Sequence, residues 1–228
     1  MLEVESQDKR LKISQIMRAI LGTGERFAGF INADCRFIQP LDIEALRPEI
    51  SRSLIMAERI DVTPHGLAAK TLSLGFDAFF FDAIGLHALP QKDYRIGEPW
   101  WDYWFPLEIG KAGLSLKRFS CPVLLHTEHT VNWDEAAFIR NARALHDEFP
   151  KLRILDNSHP NAPPCFNYLS RMPTVFPLGM NEKVAPLLAS IHPLMKDGHK
   201  LQDIETALRT ILAERAAEIV ALQNENAA

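Results

Sequence analysis

The stretch Arg26-Phe27-Ala28-Gly29-Phe30-Ile31-Asn32-Ala33-Asp34 is the starting point for predicting the fold class of this chain. Its short apolar run, rich in Phe and Ile, predicts a buried strand that stops at the polar Asn32-Ala33-Asp34 turn. Sites of α/β proteins lie where strands end, so this turn is a candidate site as well as the end of a strand.

Helical and strand patterns alternate on both sides of this stretch. Apolar residues from Ile13 to Leu21 have helical spacing, and Gly22 and Gly24 can end that helix. A second helix is predicted from Leu41 to Ile50, capped by Asp42 and shortened or kinked by Pro48. Further strands are predicted at Leu54 to Ala57, Phe76 to Phe81, Leu114 to Phe119, Pro122 to Leu125 and Leu152 to Leu155. Further helices are predicted at Trp101 to Lys111, with Pro106 in the first turn, and from Asn132 through Phe149. The chain is therefore expected to be an α/β protein with a mixed sheet flanked by helices.

The sequence changes character after residue 157. Five prolines between Ser158 and Pro177 predict an irregular, extended segment. Apolar spacing from Leu201 to Ile219 then predicts a long helix, which would pack on the domain or pair with another copy of the chain. We therefore expect one domain over residues 1–157, followed by a Pro-rich segment and helical tail over residues 158–228.

Composition excludes several classes of protein. Of 228 residues 47% are apolar and 24% charged, and the formal charge is −4, as in ordinary globular proteins. No Lys/Arg cluster with interleaved aromatics supports nucleic-acid binding, and no apolar run is long enough to span a membrane. The three cysteines lack CxxC spacing and are expected to be reduced thiols. These features together predict a cytoplasmic protein without a membrane span.

Three pieces of the sequence carry residues suited to chemistry. Asp34 follows a buried strand and could bind Mg²⁺ or Mn²⁺, although Asp is also a common turn former. In His126-Thr127-Glu128-His129, at the end of another predicted strand, the two imidazoles could bind a metal, or one or both could be structural. The spacing is not the HExxH of zinc proteases.

The third piece is Gly97-Glu98-Pro99-Trp100-Trp101-Asp102-Tyr103-Trp104, with three of the four tryptophans around one carboxylate. Aromatic faces suit sugar rings, and partial burial would raise the pKa of Asp102 towards that of a base. The alternative is a core aromatic cluster with Asp102 as a helix cap. Arg59 and Asp61, after another predicted strand, are weaker candidates that could equally form an exposed ion pair.

In this order the pieces resemble GT-A-type glycosyltransferases. Phe30-Ile31-Asn32-Ala33-Asp34 looks like the Asn-x-Asp element that binds the metal and the donor diphosphate in that fold. The stretch from Ile96 to Trp104, followed by His126 and His129, is similar to an Ile-Gly-Arg-Pro-x-Trp-Asp-Asn-Trp element and a later His-Gln-x-His in bacterial glycosyltransferase-like proteins. Glu98 stands where those proteins have Arg.

The resemblance implies an inverting transfer of a sugar from a nucleotide sugar to an acceptor hydroxyl. Mn²⁺ or Mg²⁺ would be held by Asp34, His126 and His129, and Asp102 would be the base. The implied substrate contacts are Asn32, Arg59, Asp61 and Glu98, with Trp100, Trp101 and Trp104 holding the acceptor.

One departure from the family leaves alternatives open. GT-A domains have a nucleotide-binding half, of on the order of a hundred residues, before the metal element, which here begins thirty-two residues in. We therefore expect either part of a longer or split enzyme, or a scaffold without full catalysis. The alternatives are a non-catalytic domain that binds a glycan or a partner, and a metal-dependent hydrolase using His126, Glu128 and His129.

Overall fold

The computed structural model of the chain describes residues 10–62, 75–127, 129, 135–154 and 164–179. The helices are α1 (Ile13–Gly22), α2 (Ile43–Ile50), α3 (Trp101–Lys111), α4 (Glu135–Glu148) and α5 (Pro164–Leu169). The strands are β1 (Phe27–Ile31), β2 (Cys35–Phe37), β3 (Ser53–Val62), β4 (Phe76–Asp82), β5 (Ser115–Phe119), β6 (Leu124–Thr127) and β7 (Thr174–Val175). Short 3-10 helices occur at Ala83–Ala88 and Pro150–Leu152. None of the helices in these ranges has the length and apolar character needed to cross a membrane.

Seven strands form a mixed sheet flanked by helices, which confirms the predicted α/β class. The main order is β1-β4-β3-β5-β7, and β6 extends the sheet beside the second half of β3 and also pairs with β2. Strands β1 and β3 run antiparallel to β4, whereas β5 and β6 both run parallel to β3. The end of β3 therefore lies beside the end of β6.

Strand β3 is longer than predicted. It continues past Ala57 to Val62 because β6 pairs with its second half, where Ile60 and Val62 are buried. A register shift against β4 at Ala57/Glu58 marks the point where β3 leaves β5 and begins to pair with β6. Arg59 and Asp61 thus lie within the strand, two positions apart and on one face, rather than after it.

The two faces of the sheet bury different helices. Alternation along β3 sends Leu54 and Met56 into a core shared with α1, α3, α4 and α5. Ile55 and Ala57 face the other core, which contains residues of α2. The side chain of Asp42 accepts a hydrogen bond from the main-chain N–H of Ala45, which confirms the predicted cap of α2.

The Pro-rich segment is more regular than predicted. Within it, residues 164–179 contain helix α5 and strand β7, and β7 pairs in parallel with β5. Cys165, Phe166 and Leu169 are buried in the first core. That core therefore extends past residue 157, where we placed the end of the domain. The predicted tail helix lies outside the described residues.

Two local expectations need correction. Instead of a strand near Leu152, the chain forms a 3-10 helix over Pro150–Leu152, followed by Arg153, whose φ is +50°. Pro106 is the sixth residue of α3, not part of its first turn, and it is buried. Packing of α3 on the sheet therefore maintains a helix that Pro106 alone would tend to break.

Candidate functional site

The candidate site forms where β3 and β6 end side by side, next to the turn between β1 and β2. Asp61 is opposite His126 in the parallel β3–β6 pair. Cys35 is opposite His126 in the antiparallel β2–β6 pair. Because Asp34 immediately precedes Cys35, strand pairing alone brings its carboxylate next to His126.

The structure brings the three predicted metal ligands together. Oδ2 of Asp34 lies 3.4 Å from Nε2 of His126 and 2.9 Å from Nε2 of His129. One ligand atom from each of the three residues lies within 4.8 Å of the others. The side chains of Asp34 and His129 are 38% and 50% exposed, so the site opens to solvent. This arrangement can hold one cation and leave part of its coordination sphere accessible.

The two histidines stabilise the charged form of Asp34. Burial works to raise the pKa of this carboxyl, but the hydrogen bond with His129 and the charge of His126 outweigh burial and hold its pKa below the usual value. Asp34 is therefore a carboxylate at neutral pH, as a metal ligand must be.

Asp61 holds the other nitrogen of His126. Its Oδ1 lies 2.8 Å from Nδ1 of His126 and accepts a hydrogen bond from Nε of Arg59 at 3.0 Å. A carboxylate that binds the ring nitrogen opposite the metal is a common support for a histidine ligand. Asp61 was predicted to contact the substrate, whereas the structure places it behind His126, with its side chain only 8% exposed.

Asp77 is a site residue that the sequence reasoning missed. It lies in the buried strand β4 and accepts hydrogen bonds from Arg59 and from the side chain of Asn32. Burial raises the pKa of Asp77, although the guanidinium of Arg59 opposes that shift. The pKa of Arg59 is raised: burial would lower it, but Asp77 and Asp61 outweigh burial. The sequence does contain a signal for Asp77, because it is the one acidic residue in the apolar run Phe76 to Phe81. A buried charge of this kind requires a partner.

Asp102 lies in the first turn of α3, near the start of β4. The main-chain N–H of Phe76 donates to its carboxylate, and a Cβ on Gly75 would lie 2.7 Å from its Oδ2. Burial and the charge of Asp77 raise the pKa of Asp102 to about 7, against the opposing effect of Arg59. Asp102 is thus electrostatically linked to the Arg59–Asp77 pair, and its pKa lies where a base works well at neutral pH.

The tryptophans have a different role from the predicted one. Trp100, Trp101 and Trp104 are 7%, 3% and 2% exposed. Trp101 packs against Phe30 and Phe79, and Trp104 stacks on Tyr94. Their faces are covered by the core, so the structure corrects the expectation that they hold an acceptor. Trp101 anchors α3 to the sheet, and this packing positions Asp102, the next residue of the helix.

Glu98 is also corrected. It forms an ion pair with Arg10 and receives hydrogen bonds from Arg140 and Asn141 of α4. Glu98 therefore ties the loop before α3 to α4. Glu128, proposed for the hydrolase alternative, lies outside the described residues.

The chemistry of the cluster suits a cation. Four carboxylates, on Asp34, Asp61, Asp77 and Asp102, accompany the one guanidinium of Arg59 in the described part of the site. Two imidazoles and one carboxylate are donors that Mn²⁺ accepts readily, while Mg²⁺ prefers oxygen ligands. Comparisons with protein-family models, curated proteins and solved structures find no match to this chain.

Proposed function

We propose that this chain acts as a metal-dependent glycosyltransferase of the GT-A type, alone or as part of a longer enzyme. One observation carries the proposal: Asp34, His126 and His129 converge to within 4.8 Å at the end of the sheet. Asp102, with its pKa of about 7, supports it further, because a metal-dependent inverting transfer uses both a site for a cation and a base.

Each residue has a part in the proposed transfer. A divalent cation at Asp34, His126 and His129 would neutralise the diphosphate of a nucleotide-sugar donor. Asp102 would accept the proton of the acceptor hydroxyl as the acceptor oxygen bonds to the anomeric carbon. The bond between that carbon and the diphosphate oxygen breaks, and the diphosphate leaves with the electron pair. The single attack inverts the configuration at the anomeric carbon.

The charges of the site favour binding of a diphosphate through a metal ion. Among the described residues of the site, the guanidinium of Arg59 is already bound by Asp61 and Asp77. A diphosphate approaching this carboxylate-rich surface would be repelled without a cation. We therefore expect nucleoside diphosphates to bind only in the presence of metal.

Calorimetry tests the binding half of the proposal. Mn²⁺ is titrated into the protein, followed by uridine and guanosine diphosphates, each with and without Mn²⁺. We expect Mn²⁺ to bind, a diphosphate to bind only with Mn²⁺, and Asp34→Asn to abolish both. Asp147→Asn, on the exposed surface of α4, is the matched control and should behave as the wild type. Absence of Mn²⁺ binding by the wild type would overturn the proposal.

Activity separates the remaining alternatives. Nucleotide sugars are incubated with sugar acceptors and Mn²⁺, and the Asp102→Asn variant is compared with the wild type. Loss of transfer in Asp102→Asn, with Mn²⁺ binding retained, supports the proposed base. Metal-supported hydrolysis of simple esters without any need for a nucleotide sugar would favour the hydrolase instead. Glycan binding without Mn²⁺ binding would favour the non-catalytic domain.

A further inference from the structure

We propose that Arg59 is a positioning residue that holds both parts of the metal site through two carboxylates, Asp61 and Asp77. One arm of this arrangement leads to His126 and the other to the turn that carries Asp34. The inference rests on the metal-binding part of the proposed function. It replaces the donor contact that the sequence predicted for Arg59.

The first arm determines which nitrogen of His126 faces the metal. Oδ1 of Asp61 accepts a hydrogen bond from Nε of Arg59 at 3.0 Å and lies 2.8 Å from Nδ1 of His126. Since Arg59 is a permanent donor, the Asp61 oxygen acts as an acceptor, and the hydrogen shared with His126 belongs to Nδ1. Nε2 of His126 is then the nitrogen that remains for a cation.

Nε2 of His126 faces the carboxylate of Asp34. Nε2 of His126 lies 3.4 Å from Oδ2 of Asp34. A cation between these two atoms is attracted by both, so His126 and Asp34 together would bind a divalent metal ion in this position. Arg59 therefore prepares His126 as a ligand through Asp61, which it fixes as the acceptor.

The second arm holds the turn that carries Asp34. A terminal nitrogen of Arg59 donates to Oδ2 of Asp77, whose Oδ1 accepts from the side-chain amide of Asn32. The main chains of the same two residues are also joined, because the N–H of Asn32 donates to the carbonyl of Asp77 at 2.9 Å. The carbonyl of Asn32 in turn accepts from the N–H of Cys35 at 3.0 Å, which closes the turn around Asp34.

Arginine suits this position for a geometric reason. Its planar guanidinium presents Nε and a terminal nitrogen in fixed, diverging directions, so it can bind one carboxylate with each. Lysine has the same charge, but its single nitrogen on a flexible side chain cannot bind two carboxylates in fixed directions. The side chain of Arg59 is 15% exposed, so most of it is in contact with protein. Arg59→Lys therefore removes the geometry while preserving the charge.

The chain provides a matched control. Arg118 of β5 pairs with Glu58, the neighbour of Arg59 in β3, at 3.4 Å. Its side chain is 18% exposed, close to the value for Arg59, and among the described residues its partners are Glu58 and the carbonyl of Phe119, neither of which is a proposed metal ligand. Arg118→Lys thus tests the general cost of the same substitution in the same sheet.

The first experiment reads the tautomer of His126 directly. Long-range ¹⁵N–¹H NMR spectra of the full chain without metal distinguish a hydrogen on Nδ1 from one on Nε2, and His126→Gln identifies the signal. We expect Nδ1–H in the wild type and in Arg118→Lys, and a mixture of tautomers in Arg59→Lys. A wild-type His126 with its hydrogen on Nε2 would overturn the inference, even if Arg59→Lys does not fold. Asp61→Asn should also shift the tautomer, because an amide can donate to Nδ1.

The second experiment measures Mn²⁺ affinity by calorimetry on the same variants. We expect Arg59→Lys to bind Mn²⁺ about 10- to 100-fold more weakly than the wild type, as for other outer supports of metal ligands, and Arg118→Lys to be nearly unchanged. Equal affinities in the two lysine variants would refute the role of Arg59. If the wild type binds no Mn²⁺, the proposed function fails. The tautomer spectra still decide whether Arg59 determines which nitrogen of His126 carries the hydrogen.

Discussion

Replacing Asp102 by asparagine should stabilise the folded protein at neutral and higher pH. In the fold, burial and the charge of Asp77 raise the pKa of this carboxyl from 3.8 to about 7. Between those two values the unfolded chain has released the proton while the folded chain retains it. The stability of the wild type therefore falls as pH rises through this range, and the full penalty is present above about pH 7. Asparagine removes the titration and keeps both the size and an acceptor for the N–H of Phe76.

The magnitude follows from the difference between the two pKa values. A pKa of about 7 in the folded chain, instead of 3.8, lowers the free energy of unfolding of the wild type by at most about 4 kcal/mol at pH 8. The side chain retains some solvent exposure, so screening reduces this ceiling. We expect Asp102→Asn to be more stable than the wild type by about 1–3 kcal/mol at pH 8, and by clearly less at pH 5.

Urea denaturation at several pH values between 5 and 8 measures this difference. Asp147→Asn, an exposed substitution, controls for the loss of a carboxylate and should show no such trend. A stability difference between Asp102→Asn and the wild type that does not grow with pH would refute the argument. If Asp102 is also the base, the stabilised variant should lose transfer activity, the usual relation between a strained functional residue and stability.

Three further predictions concern the scaffold. Gly29→Ala should destabilise the fold by about 1–3 kcal/mol in urea denaturation, because the added Cβ would lie 2.7 Å from the carbonyl oxygen of Phe79. Gly22→Ala, with nothing within 4 Å, is the control and should not destabilise it. Trp104→Ala should lower stability by about 3–5 kcal/mol, as expected for a core residue, with the loss measured in the same way. Cys121, whose pKa burial raises to about 11, should react with iodoacetamide at pH 8 roughly 100-fold more slowly in the folded than in the unfolded chain, measured by mass spectrometry. Equal rates in the two states would contradict its burial.

Local sequence patterns were sufficient for most elements. Helix α1, strand β1 and the capped helix α2 were predicted close to their observed bounds, because their periodicity and end signals involve residues only a few positions apart. The same patterns failed where distant contacts decide. Strand β3 extends to Val62 because β6 pairs with it, and β7 forms because β5 offers it an edge.

The site likewise contains residues that the sequence predicted and residues that only the structure shows. Asp34, His126 and His129 were candidates from residue type and from their places at predicted strand ends. Asp77 was missed because its role depends on a partner from another strand. The tryptophans around Asp102 illustrate the opposite error, since the composition that suggests a sugar platform also builds a core, and only packing distinguishes the two.

By itself the sequence determined the α/β class, the kinds of ligand available and the strand ends at which they lie, because these depend on spacing along the chain. Only the tertiary structure decided that Asp34 meets His129, 95 positions away, and that Arg59 faces inward to join two carboxylates. Such meetings are set by strand register across the sheet, which depends on hydrogen bonds and packing between segments far apart in sequence.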